Sequence, residues 1–171
     1  MKLQEAPANG GWTASDHSGG GGGGGGGQWR PKTAAEVARD QAIGRRAEEL
    51  ILRNERERVR RLGFDENRVV WTADTNPGAD HDIRSVDDDG GDLWVEVKGT
   101  VGTDGRFAWP IGEFTLALRE RSRYVLWRVY EAGTEHPTAK PFRDPIAMLG
   151  SQSIRADIAS LAIEVEPLGS G

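Results

Sequence analysis

The segment Leu93-Trp-Val-Glu-Val-Lys98 sets a glutamate and a lysine two positions apart inside an otherwise apolar run. Alternation along a strand puts Leu93, Val95 and Val97 on one face and Trp94, Glu96 and Lys98 on the other. On a strand covered from both sides, an ion pair is costly to bury without a task. Taken alone, the pair is a weak signal, and an ordinary cross-face pair on a half-exposed strand is the simpler explanation. Asp82 changes the weighing, because it lies fourteen residues upstream at the start of the preceding β-patterned segment. If the two segments pair through the turn between them, Asp82, Glu96 and Lys98 meet at one end of one sheet face. Two carboxylates about 4–5 Å apart form a hard-cation site suited to Mg²⁺ or Mn²⁺, which prefer oxygen ligands. A lysine beside them can position or deprotonate a water, a task closed to arginine. Lysine is used sparingly: of the 22 basic residues only Lys2, Lys32, Lys98 and Lys140 are lysine.

The elements that must position these groups follow from pattern and punctuation. Thr33-Ala-Ala-Glu36 fits a capping box at a helix start. Gly44 is expected to divide a short helix from a longer one over Arg45 to Leu62, in which Ala47, Leu50, Ile51, Val59 and Leu62 recur at helical spacing and Gly63 stands at the stop. Period-two patterning then predicts strands over Arg68 to Ala73, Asp82 to Val86 and Leu93 to Lys98. Asn76-Pro77-Gly78 and Asp87-Asp-Asp-Gly-Gly-Asp92 supply the turns. Ile111 to Arg121 has helical composition, with Phe114, Ala117 and Leu118 on one side, and Tyr124 to Tyr130 is the most apolar run, a buried strand. Pro145 to Leu149 fits a helical turn and Leu161 to Val165 a last strand. The core order helix-strand-strand-strand-helix-strand predicts an α/β domain, a mixed four-stranded sheet with a helix on each face.

Composition bounds the rest. Of the 24 glycines among 171 residues, eleven fall in the first 27 positions, nine of them as the run Gly19 to Gly27. Such a run neither packs nor forms a helix, so residues 1–31 read as a disordered arm and residues 32–167 as a single domain. The chain has no cysteine, which excludes thiolate metal sites and thiol nucleophiles. A net charge of −5 argues against a general nucleic-acid coat. No stretch has the length of a membrane span or the pattern of an export signal, so the expectation is a cytoplasmic protein with no membrane contact.

Five stretches occur in a fixed order around the Glu-x-Lys pair: Ile43-Gly-Arg-Arg-Ala-Glu-Glu49, Gly78-Ala-Asp-His-Asp-Ile83, Val95-Glu-Val-Lys-Gly-Thr100, Phe107-Ala-Trp-Pro-Ile-Gly-Glu113 and Tyr124-Val-Leu-Trp-Arg-Val129. Together, over roughly residues 40–148, they resemble the Protein NO VEIN C-terminal domain family. That family is a domain of unknown function near the Mrr-like branch of the PD-(D/E)xK nuclease superfamily. The resemblance implies a restriction-endonuclease-like core, with Asp82 and Glu96 as metal-binding carboxylates and Glu48 as a helix glutamate reaching the metal directly or through water. It also implies that Lys98 orients the attacking water and that the Val97 backbone carbonyl is an additional ligand. His81 stands where the superfamily's namesake proline would be, and Asp80 is a rival to Asp82 as ligand.

Other charged and aromatic residues have more ordinary readings. Arg45 and Arg46 flank the expected site, as surface charge or as phosphate contacts, and Gly99 offers bare backbone where a phosphate can approach. Glu113 is expected to stabilise a helix start, with a place in the metal site second. Glu49 and the run Arg53 to Arg61 read as solvated helix surface, since Glu55 and Glu57 interrupt the arginines. Trp71, Trp94 and Trp127 read as core. Two functions follow as expectations. One is a Mg²⁺- or Mn²⁺-dependent endonuclease acting on DNA phosphodiester bonds, in a restriction or defence setting, with a homodimer or protein partner for site choice. The other is a non-catalytic interaction or nucleic-acid-sensing module of the same family.

Overall fold

The computed structural model describes the backbone of Gln4–Glu5 and residues 33–156. Helix α1 (Ala34–Arg61) opens on the expected capping box: Thr33 Oγ1 accepts from the Glu36 amide at 3.2 Å, and Glu36 Oε2 accepts from the Thr33 amide at 2.7 Å. It closes on Gly63, whose φ of 87° suits glycine, with the Gly63 amide donating to Arg60 O and the Phe64 amide to Val59 O. The helix runs unbroken through Gly44, against the expected division. A single glycine costs a helix only about 1 kcal/mol, less than the packing of Ala47, Leu50, Ile51 and Val59 on the sheet returns.

Residues Glu66–Arg68 form a 3-10 turn, capped by Asp65 through the Asn67 amide. Strand β2 (Val70–Trp71) is correspondingly short, and Thr72–Thr75 coils into a helical turn, α2, rather than extending to Ala73. The polar Thr72, Asp74 and Thr75 favour that turn over a strand, and the Asn76 amide closes it on Thr72 O. Strands β3 (Ile83–Val86) and β4 (Asp92–Gly99) form the expected hairpin, its turn built around Gly90 at φ 84°. Helix α3 (Ile111–Glu120) crosses over to β5 (Tyr124–Tyr130), which runs parallel to β4. Strand β6 (Thr138–Arg143) and helix α4 (Pro145–Gly150) follow.

Among the described residues the sheet has six strands in the order β1-β6-β5-β4-β3-β2, where β1 is Gln4–Glu5, two more than expected. Pro141 hides β6 from sequence reading, because a proline demotes a strand pattern. It stands opposite Trp127 of β5, and on the other side the described residues of β1 reach only Thr138 and Ala139. The Leu161 to Val165 segment and most of the glycine-rich arm lie outside the described residues.

One core forms between α1 and the face carrying Leu93, Val95, Val97, Val125, Trp127 and Val129. The other joins α3 and α4 to the opposite face through Leu116, Ala117, Tyr124, Leu126 and Ile146, with Trp94 partly buried beside them. Helix α3 is phased differently from expectation: Leu116 and Ala117 are buried while Leu118 is exposed. Glu55, expected on solvated surface, is instead buried, with Ser85 Oγ donating to it at 2.7 Å and Arg58 at 2.8 Å. The α1 face that meets β3 is thus partly polar, and paired. Among the described residues no helix is long and apolar enough to cross a membrane.

Candidate active site

Asp82 lies one residue before β3, next to the Ile83–Val95 pair that ends the β3–β4 ladder, and its carboxyl comes beside Glu96. Its amide still donates to Val95 O at 3.1 Å, but the next ladder position is filled by the side chain: the Val97 amide donates to Asp82 Oδ2 at 2.8 Å. Asp82 therefore takes over from the backbone where β3 leaves β4. Val97 meets Asp82 through its N–H.

Glu96 is 2 % exposed on the α3 side of the sheet. Lys98 Nζ lies 2.7 Å from Glu96 Oε1 and 2.7 Å from Glu113 Oε2. Glu113 stands in the first turn of α3, three and four positions before the buried Leu116 and Ala117, so it shares their inward face. That phase was the available signal for including it in the site. The expected grouping of Phe114, Ala117 and Leu118 turned Glu113 outward.

Glu48 comes from the other layer. Helix α1 carries it, and Trp71 Nε1 donates to its Oε2 at 2.8 Å. The approach of α1 to the end of β4 depends on Gly99. A Cβ there would sit 2.8 Å from Ala47 Cβ and 3.2 Å from Ile43 O, so the bare side of Gly99 is filled by the helix. Glu48 and Asp82 line one cavity of about 380 Å³ together with Gln41, Gly44, Arg45, Ala73, Asp74 and Pro77. Arg45 stays at its wall, 2.9 Å from Asp74, 3.5 Å from Glu49 and stacked over Trp71. Arg46 is elsewhere, donating to Thr134 O at 2.6 Å in the loop after β5. Asp80 is turned to His81, Oδ1 to Nδ1 2.9 Å, and His81 Nε2 meets Thr72 Oγ1 at 3.0 Å. Of the two aspartates, it is Asp82 that faces Glu48 and Glu96.

The electrostatics are those of a crowded acidic site. Burial, then the charge of Asp82, raises both Glu48 and Glu96 above the usual carboxylate range. Burial raises Asp82 and Glu113 as well, against the pull of the Val97 amide on the first and of Lys98 on the second. For Lys98 burial pulls downward, but Glu96 and Glu113 outweigh it and hold the ammonium above its ordinary value. Lys98 is a fixed positive charge here, suited to orienting a water or an anion rather than to taking a proton.

The donor chemistry fits a hard dication. The groups are oxygen donors beside one ammonium, and the crowding that raises the proton affinity of the carboxyls is what a bound dication would relieve. Among the described residues no three such groups converge into a ready-made cage.

Residues 47–142, more than half of the chain, match the family model described as Protein NO VEIN, C-terminal. The chain belongs to this family. The matched span of the Protein NO VEIN C-terminal domain runs from α1 into β6, and so includes Glu48, Asp82, Glu96, Lys98 and Glu113. No curated protein and no solved structure matches the chain.

Proposed function

We propose that this Protein NO VEIN C-terminal domain is a metal-dependent phosphodiesterase of the PD-(D/E)xK type, built on a restriction-endonuclease-like core and acting on DNA. The observation that carries the reading is the Lys98 ammonium held 2.7 Å from Glu96, with the Asp82 carboxyl beside Glu96 at the entry to the neighbouring strand. Asp82 and Glu96 would hold Mg²⁺ or Mn²⁺, with Glu48 reaching it through water and the Val97 carbonyl as a further oxygen. The ion, when bound, polarises the scissile phosphate and acidifies a water. Lys98 would orient a water and offset the charge that develops on the phosphate. Arg45, at the cavity wall, would meet a phosphate of the backbone. His81 replaces the superfamily's proline but does a related job, since its bonds to Asp80 and Thr72 fix the chain just before Asp82.

The test is cleavage of plasmid and linear DNA in Mg²⁺ or Mn²⁺ by the wild type beside Lys98→Ala and Asp82→Asn. Loss of metal-dependent cleavage in both variants is expected. Equal residual cleavage in all three, or none in the wild type across both metals, favours the alternative, a non-catalytic interaction or nucleic-acid-sensing module.

A further inference from the structure

Arg128 is 3 % exposed, on the same sheet face as Lys98 and paired with it in the β4–β5 register. A buried guanidinium ordinarily sits against a carboxylate. This one forms no ion pair among the described residues and instead donates to three backbone carbonyls. Nη1 donates to Lys98 O at 2.9 Å, and Nη2 to Asp104 O at 2.7 Å and Arg106 O at 3.1 Å. The rings of Phe107 and Tyr130 lie 5.7 and 5.6 Å from its guanidinium carbon and supply their faces in place of a counter-charge. Its Nε is buried without a partner.

The three acceptors share a location. Lys98 precedes the connection from β4 to α3, and Asp104 and Arg106 lie within it. Glu113 follows at the start of α3. Arg128 thus grips the near end and the middle of the segment whose far end delivers Glu113 to Lys98. Neither lysine nor methionine reproduces this, because only the planar fork offers donors on two edges at once.

We infer that Arg128 is a positioning residue: by clamping the 100–110 connection to β5 it holds Lys98 and Glu113 in register, and so sets the ammonium at the candidate active site. The placement of Lys98 stands on geometry alone. Its consequence for catalysis rests on the phosphodiesterase reading.

The experiment compares full-length wild type, Arg128→Lys, Glu113→Gln and Phe107→Leu. Lysine acylation by an acetyl active ester and amide hydrogen exchange are both read by mass spectrometry. Held by Glu96 and Glu113, wild-type Lys98 is expected to acylate more slowly than Lys140, and Arg128→Lys to raise its acylation, relative to Lys140, about 10-fold or more. Amide exchange over residues 100–107 should accelerate by a similar factor. Glu113→Gln should expose Lys98 without loosening those amides, which separates the clamp from its client. Where DNA cleavage is measurable, Arg128→Lys lowers kcat and leaves KM unchanged. A folded Arg128→Lys with wild-type acylation and exchange overturns the inference. Should Arg128→Lys fail to fold, unchanged acylation and exchange in Phe107→Leu overturn it instead. A wild type that cleaves no DNA defeats the phosphodiesterase reading and leaves the acylation and exchange results decisive for Arg128.

Discussion

Glu113, on helix α3, meets the Lys98 ammonium at 2.7 Å, the same distance that separates Lys98 from Glu96 on its own strand. The lysine is therefore bracketed by two carboxylates from different elements. A buried charge held by two partners is both more rigid and more persistently charged than one held by a single partner.

Removing the second partner should leave metal binding largely intact and weaken the chemistry. Glu113→Gln is expected to bind Mn²⁺ within a few-fold of the wild type while turnover falls roughly 10–100-fold. Titration calorimetry and single-turnover cleavage separate the two effects. A parallel collapse of both would place Glu113 among the metal ligands.

The raised carboxyls give the ion-free protein a definite pH dependence. A carboxyl whose folded pKa lies above its unfolded value contributes stability that is full below the unfolded pKa, about 4.3 for glutamate, and is lost as pH rises toward the folded pKa. Glu48, Asp82, Glu96 and Glu113 all shift this way. In chelator, stability should decline from pH 5 to 9, and Glu96→Gln should flatten that decline. Mg²⁺ should raise Tm more at pH 8 than at pH 5.5, as it replaces the protons the site otherwise holds. Thermal melts across pH, with and without the ion, measure both effects.

Asp87 titrates with the opposite sign. Burial works against its charge, but the Arg143 guanidinium, 2.6 Å away, and the Asp88 amide hold its pKa below the ordinary value. Its contribution is present above the unfolded pKa near 3.9 and lost as pH falls through the lowered folded value. Asp87→Asn should cost about 1–2 kcal/mol at pH 7 and progressively less as pH falls below the unfolded value, read by urea denaturation.

Two glycines should respond in opposite directions to alanine. Gly99→Ala drives a Cβ to 2.8 Å from Ala47 Cβ and 3.2 Å from Ile43 O, so α1 must move off the sheet, at about 1–3 kcal/mol. Gly44→Ala meets nothing closer than Glu48 Oε1 at 3.9 Å and sits mid-helix, where alanine should stabilise by roughly 0.5–1 kcal/mol. Chemical denaturation of the two variants decides both.

Sequence alone determined the features governed by local rules. The capping box at Thr33, the stop at Gly63, the β3–β4 hairpin and the apolar β5 all follow from short-range pattern, and each forms where the residues place it. The nearness of Asp82 to Glu96 was legible for the same reason, since a hairpin over a short turn brings the start of β3 beside the middle of β4. Only the tertiary structure decided the rest. Glu113 and Arg128 depend on how a helix and a neighbouring strand pack against β4, which no local spacing encodes. Gly99 looks like open backbone in the chain and proves to be a contact surface for α1. Gly44 and Pro141 are breakers by propensity, yet α1 runs through one and β6 holds the other. Propensity acts at about 1 kcal/mol per residue, whereas burying a helix face or a strand gathers many such contributions at once.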